Sequence, residues 1–293
     1  MKNIMVVLGP TAVGKTKLSV MLAKKYNAEI INCDSMQVYK GLDIGTAKIK
    51  EEEKEGIIHH LFDIVDIDYN YTVFDYQRDC RKKIDEILDK GKRVILVGGT
   101  GLYVKAALFN YVFTEKKSED NLYLEYSNQQ LLDKIRQYDS NCIIHVNNRK
   151  RLVRLLNKYE FGEEITNNKD EILYDASFIG LTTDRQILYD KINQRVDIMV
   201  NDGLLDEVSL YKDKLEFSKA LMTGIGYKEF VPYYKGDCSL EMVFDNIKKN
   251  SRNYAKRQYT FFNNQFSNLK WFNTNYSDFN ETFLEVCTYL ESN

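Results

Sequence analysis

The residues Gly9-Pro10-Thr11-Ala12-Val13-Gly14-Lys15-Thr16 match the pattern G-x-x-x-x-G-K-[ST]. They directly follow an apolar run at 4–8 and open a segment of helical periodicity at 15–26. In that context the loop is an anion cradle. Its backbone N–H groups converge on a phosphate, the helix dipole adds positive potential, Lys15 brings a mobile charge, and the Thr16 hydroxyl is a ligand for Mg²⁺. A phosphate loop alone fits ATPases, kinases and transferases that hold a diphosphate leaving group. The apolar run at 93–97 ends in Gly98-Gly99-Thr100-Gly101 with no acid, so the usual second carboxylate of nucleotide hydrolysis is missing there. An acid stands instead after the second apolar run, in Cys33-Asp34-Ser35-Met36-Gln37-Val38-Tyr39, where the carboxyl edge of a parallel sheet meets its ligands. So placed, Asp34 takes a proton from a nucleophile, holds magnesium, or merely caps the next element. Thr100 is aimed similarly, as a substrate contact or as the N-cap of a helix beginning near Leu102.

The elements that position these residues follow from apolar patterning. Runs at 4–8, 29–33 and 93–97 alternate with helix-like segments, as in a parallel α/β sheet. Periodicity predicts helices at 15–26 and 74–90, with Phe74, Ile84, Ile87 and Leu88 on one buried face and Gly91 as the stop. From 113 to 174 the chain is polar and charge-rich, with helical segments at 131–138 and 149–159, and strand character returns at 176–181 and 269–272. The expected fold is α/β, a P-loop NTPase-like parallel sheet core made of residues 1–112 and 175–293, with a mainly helical inserted subdomain at 113–174.

A chain of 293 residues with 44% hydrophobic side chains can bury a full core, and a net charge of −2 gives no chain-wide pull toward nucleic acid. Polyanion binding must then come from local clusters. Two stand out: Arg149-Lys150-Arg151-Leu152-Val153-Arg154 in the insert, and the acid-free stretch 248–257, which carries Arg252, Lys256 and Arg257. Helical spacing puts Phe244, Ile247, Tyr254 and Phe261 near one face of the second, which reads as core, with Lys249, Arg252 and Lys256 outward. Five cysteines without a C-x-x-C pair argue against a disulfide framework and a zinc site and fit a reducing cytoplasm. His59, His60 and His145 lack ligand spacing. No run approaches the roughly 20 apolar residues of a membrane span.

Taken together and in order, GPTAVGKT (9–16), DSMQVYKGLDIGTAK (34–48), HHLFDIVD (59–66), GGTGLY (98–103), DRQILYDKINQRVD (184–197), GLLDEV (203–208), GIGYKE (224–229) and NYAKRQYTFF (253–262) closely resemble the bacterial tRNA dimethylallyltransferase family. The resemblance implies transfer of dimethylallyl from its diphosphate to the exocyclic N6 amine of the adenosine immediately 3′ of the anticodon, with diphosphate released. It implies that residues Gly9 through Thr16 hold the diphosphate together with Arg185, with Mg²⁺ at Thr16. Asp34 is then the base and Thr100 a positioning group, and Asp34, Ser35, Met36, Gln37 and Thr100 meet the extruded adenosine and its neighbours. Lys150, Arg151, Leu152, Val153 and Arg154, with Arg252, Lys256 and Arg257, grip the anticodon stem-loop. The expected protein is a cytoplasmic monomer without a membrane partner. Residues 113–145 are shorter than the family pattern, and Val146 replaces a familiar proline. A small-molecule kinase using ATP on the same loop and a nucleotide-switched RNA-binding protein are the competing expectations.

Overall fold

The computed structural model describes residues 1–111, 123–160 and 171–292; the expectations for 113–122 and 161–170 lie outside the described residues. The chain begins with β1 (Ile4–Leu8), α1 (Lys15–Tyr26), β2 (Ala28–Asn32), β3 (His59–His60), α2 (Val73–Leu88), β4 (Arg93–Val97) and α3 (Gly101–Leu108). Next come α4 (Asn128–Tyr138), α5 (Arg149–Glu160), β5 (Ala176–Thr182), α6 (Arg185–Asn201) and α7 (Leu204–Ser209). The described chain closes with α8 (Lys219–Thr223), α9 (Val231–Tyr234), α10 (Leu240–Gln265), β6 (Lys270–Asn273) and α11 (Phe279–Glu291).

The strands form one parallel sheet in the order β3-β2-β4-β1-β5-β6. Strands β1 and β2 are buried along their whole length, which explains why they read as continuous apolar runs rather than alternating ones. Alternate residues feed two cores. Ile4, Val6 and Leu8 face one layer with Tyr76, Ile84 and Phe262, while Met5 and Val7 face the other with Leu18, Leu22 and Val286. The fold is thus α/β and doubly wound, as expected.

Helix α2 corrects one expectation. Thr72 caps it, accepting from the Asp75 N–H at 3.2 Å while Asp75 accepts from the Thr72 N–H at 2.9 Å. The phase set by this box buries Tyr76, Cys80, Ile84 and Ile87 and turns Phe74 to the opposite side, where it is 46% exposed. Tyr76 then ties α2 to the sheet, donating to the Asn32 carbonyl at 3.0 Å and stacking on Tyr103 at 3.9 Å between ring centroids.

The chain divides into two compact units, Met1–Phe109 with Ile172–Asn293, and Asn110–Glu171. The second unit has a core of its own, in which Leu131, Leu132 and Ile135 of α4 meet Leu152, Val153 and Leu156 of α5. Burying each such side chain is worth about 1.5–3 kcal/mol. Arg149 works as a brace, donating to the carbonyls of Tyr126 at 2.7 Å and Tyr123 at 2.5 Å. The cysteines are all free, and among the described residues no helix is long and apolar enough to cross a membrane.

Candidate active site

The turns after β1, β2 and β4 meet at the carboxyl edge of the sheet. Gly14 holds φ at 89°, and a Cβ there would lie 2.6 Å from the Phe279 ring, so only glycine lets α1 start this close to α11. Ala12 sits at φ 68°, a left-handed conformation costly for alanine. The chain after β6 holds it there: Tyr276 donates its hydroxyl to the Ala12 carbonyl at 3.0 Å, and Thr274 to the Val13 carbonyl at 2.9 Å. Gln258 of α10 fastens the other side of the loop. Its oxygen accepts from the Thr11 N–H at 3.2 Å and its nitrogen donates to the Gly99 carbonyl at 3.0 Å, so a single amide links the turns after β1 and β4.

Asp34 is held as firmly. The Asn32 side chain accepts from the Asp34 N–H at 2.9 Å and donates to the carbonyls of Asp34 and Leu61, each at 3.0 Å. The carboxylate itself accepts from the Met36 N–H at 2.9 Å. Close approach of β2 and β4 makes this possible, since a Cβ on Gly98 would lie 2.3 Å from the Cys33 carbonyl. Thr100 occupies the N-cap position of α3, yet its hydroxyl makes no cap bond; it accepts from the Ser35 N–H at 3.2 Å and so orients the turn that carries Asp34.

These turns surround a cavity of about 310 Å³. Thr11, Lys15, Thr16, Asp34, Ser35, Met36, Gln37 and Arg257 line it, as do Arg195, His59, Tyr254 and Gln258. Pro10 and Thr100 stand behind these, and Val13 is packed in the core. The Gln37 amide donates to the Thr46 carbonyl at 3.0 Å and the Ala47 carbonyl at 3.3 Å, which fixes its side chain toward the cavity wall.

Two half-buried cations dominate the electrostatics. Lys15 donates to the Pro10 carbonyl at 2.7 Å, and burial, reinforced by Arg195 and opposed by Asp34, brings its pKa down to about 7. Arg195 donates to the Thr11 hydroxyl at 2.9 Å and the Ala47 carbonyl at 3.3 Å; burial lowers its pKa as well, with Asp34 the main opposing charge. A site that strains to keep two cations charged gains by admitting an anion. Tyr254 is pushed up to about 12, by burial first and by Asp34 second, so its phenol stays protonated. His59 donates from Nδ1 to the Ile57 carbonyl at 2.8 Å, which leaves Nε2 an acceptor, and that atom is buried with no partner among the described residues. Burial lowers the ring's pKa below its ordinary value. Among the described residues no group of three or more His, Cys, Asp or Glu side chains is placed to hold a metal.

Three expectations need correction. Arg185 does not join the loop; it is exposed at the start of α6, where its Nε donates to the Tyr189 hydroxyl at 3.1 Å. Ten residues on, and about 15 Å along the helix axis, Arg195 takes that place. Leu152 and Val153 do not face outward, because the α4–α5 pair buries them, leaving Lys150, Arg151 and Arg154 as the exposed residues of that stretch. Tyr254 is a wall of the cavity rather than core, with Arg257 lying over its ring at 5.6 Å. Arg252 and Lys256 turn instead toward Tyr189. Arg195 and Gln258 lie within the quoted segments 184–197 and 253–262, but nothing local to those segments separates them from their neighbours.

The sequence pattern of a family described as IPP transferase matches residues 37–265. A tRNA dimethylallyltransferase of Bacillus pumilus (strain SAFR-032) is 44% identical over 303 aligned residues, covering 98% of this chain and 95% of its own. The crystal structure of the full-length tRNA isopentenylpyrophosphate transferase of Bacillus halodurans superposes with a TM-score of 0.77 at 41% identity, covering 100% of this chain and 96% of its own. A eukaryotic dimethylallyltransferase, described as acting on tRNA, superposes with a TM-score of 0.86 at 29% identity, covering 98% of this chain and 78% of its own.

Proposed function

The chain belongs to the IPP transferase family, and from that membership we infer that it moves a dimethylallyl group from dimethylallyl diphosphate to the exocyclic N6 amine of the tRNA adenosine immediately 3′ of the anticodon, releasing diphosphate. The observation that carries the reading in this chain is the meeting of Lys15, Arg195 and Asp34 around one cavity, two half-buried cations facing a fixed carboxylate.

The diphosphate lies along Gly9–Thr16, its charge met by loop amides, Lys15 and Arg195. The amine nitrogen bonds to the allylic carbon while the carbon–oxygen bond breaks and its electron pair leaves with the diphosphate. Asp34 takes the proton the nitrogen sheds. Lys15 and Arg195 stabilise charge that grows on the leaving oxygens, and Tyr254, kept protonated, donates without competing as a base. The Thr16 hydroxyl would hold Mg²⁺, which would supply further neutralising charge to the departing group. The adenosine must leave its stack to reach this depth. Asp34, Ser35, Met36 and Gln37 then form the wall it meets, with Thr100 holding that wall in place. Lys150, Arg151 and Arg154 supply cations for the anticodon stem-loop backbone. The working form is a cytoplasmic monomer.

Incubation of the protein with unmodified tRNA, Mg²⁺ and either labelled dimethylallyl diphosphate or γ-labelled ATP tests the reading. Label from the prenyl donor should appear on RNA. Label passing only from ATP to a small acceptor, or RNA binding without transfer from either donor, would replace it with a kinase or a binding protein.

A further inference from the structure

Glu207 on α7 is 8% exposed and does not line the cavity, and the reaction above gives it no role. Its carboxylate is nevertheless fully engaged. One oxygen accepts from the N–H groups of Asp43 at 2.9 Å and Ile44 at 2.7 Å, and the other from the Gly45 N–H at 2.9 Å and the Tyr227 hydroxyl at 2.7 Å. Successive backbone N–H groups turned the same way make an anion-binding concavity. Here the anion is a side chain 162 residues further along the chain than Gly45. All four donors are neutral, and a carboxylate taken out of water holds such donors strongly because they replace its hydration.

What the carboxylate grips is a turn in the cavity wall, where Gly45 and Thr46 are lining residues. The Ala47 N–H donates to the Ile44 carbonyl and the Lys48 N–H to the Asp43 carbonyl, each at 2.9 Å, which closes the turn. Ala47 sits at φ 48°, left-handed and costly for alanine, so its surroundings must fix it. Beyond the N–H groups on Glu207, the turn ends in the carbonyls of Thr46 and Ala47. Both accept from the Gln37 amide, at 3.0 and 3.3 Å, and the Ala47 carbonyl also accepts from the Arg195 guanidinium at 3.3 Å. One end of the turn is therefore anchored outside the site, and the other orients a side chain on the base wall and a cation on the diphosphate. An acid in the first turn of a helix ordinarily serves that helix's own N–H groups. Glu207 is such an acid on α7, and it reaches across to this turn instead.

We propose that Glu207 is a positioning residue for the transfer: by holding the N–H end of the turn at 43–47, it sets the carbonyls that aim Gln37 at the base and Arg195 at the diphosphate. The assignment rests on the transfer reading of this cavity. Tyr227 is a lesser support, since it supplies one of the four donors and the backbone supplies three.

The test compares wild type with Glu207→Gln, Glu207→Asp, Tyr227→Phe, Arg195→Gln and the double variant Glu207→Gln/Arg195→Gln. It reads the dissociation constant for inorganic diphosphate with Mg²⁺, the single-turnover rate of prenyl transfer to tRNA, and thermal unfolding. Glu207→Gln should weaken diphosphate binding about tenfold and slow transfer about thirtyfold, because base and leaving group are both set wrongly. Tyr227→Phe keeps the three N–H bonds and should stay within about twofold of wild type in both. Once Arg195 is gone, Glu207→Gln should cost less than about twofold in diphosphate affinity, because its effect passes through that guanidinium. A full tenfold further loss in the double variant would overturn the assignment. So would a Glu207→Gln protein that unfolds at a lower temperature while binding diphosphate and transferring at wild-type levels. Should Glu207→Gln fail to fold, Glu207→Asp decides, since it keeps the charge and draws it back by one methylene. Its diphosphate binding should be about threefold weaker, and wild-type affinity with a wild-type rate would overturn the proposal. A wild type that binds diphosphate and transfers no label would end the transfer reading, while the affinity measurements still decide whether Glu207 sets Arg195.

Discussion

Helices α5 and α10 are alike in composition, each amphipathic and rich in Lys and Arg, and they do different work. Helix α5 has two faces: Leu152, Val153 and Leu156 close a small core, and Lys150, Arg151 and Arg154 meet water. Helix α10 has three. It buries Val243, Ile247 and Phe262, sends Tyr254, Arg257 and Gln258 into the cavity wall, and carries Arg252 and Lys256 against Tyr189. The difference teaches that a basic stretch reports a contact with a polyanion only where the cations stand on side chains free of packing. A helix lining a site adds a face that no two-way split into buried and exposed anticipates.

The sharpest way to separate chemistry from grip is Asp34→Ala. It should lower single-turnover transfer by 10³-fold or more, about 4 kcal/mol, while tRNA affinity stays within about twofold; near-normal transfer would remove Asp34 from the role of base. Lys15→Met probes the buried charge through stability. Ligand-free wild type must bury an ammonium below pH about 7, whereas the unfolded chain keeps its proton up to about 10.5. Between those values the unfolded state binds the extra proton, so stability climbs with pH. The variant should therefore unfold at a higher temperature than wild type at pH 7 and below, by an amount that shrinks toward pH 10, and a pH-independent difference would contradict the lowered pKa. Replacing Lys150, Arg151 and Arg154 together with alanine should have the smallest effect, raising the KM for tRNA about tenfold, near 1.4 kcal/mol, with kcat and thermal stability unchanged. A fall in kcat would show that α5 acts on the reaction and not only on the backbone of its substrate.

Much of the core was legible because its signals are local. The phosphate loop is eight consecutive residues, and β1 and α1 are bounded by its apolar run and its glycines. Strand β3 escaped because two residues, His59 and His60, carry no period, and they pair with β2 only once the chain has returned to it. The choice between Arg185 and Arg195 depends on where α6 lies beside the loop, a fact of packing rather than spacing. Gln258 is more distant still, since its partner Thr11 is 247 residues away in sequence. Phe74 was misplaced because the cap at Thr72, not the apolar count, sets the phase of α2.

The amide of Gln258 has the character of a ruler. Since one end accepts from the turn that cradles the departing group and the other donates to the turn beside the proton acceptor, the span between the two ends of the reaction is set by three planar atoms. A glutamate there would keep the first hold and repel the second, and a lysine would do the reverse. Any redesign for bulkier donors should therefore enlarge the wall at Ile49, Phe62 or Met199 and leave that gauge in place.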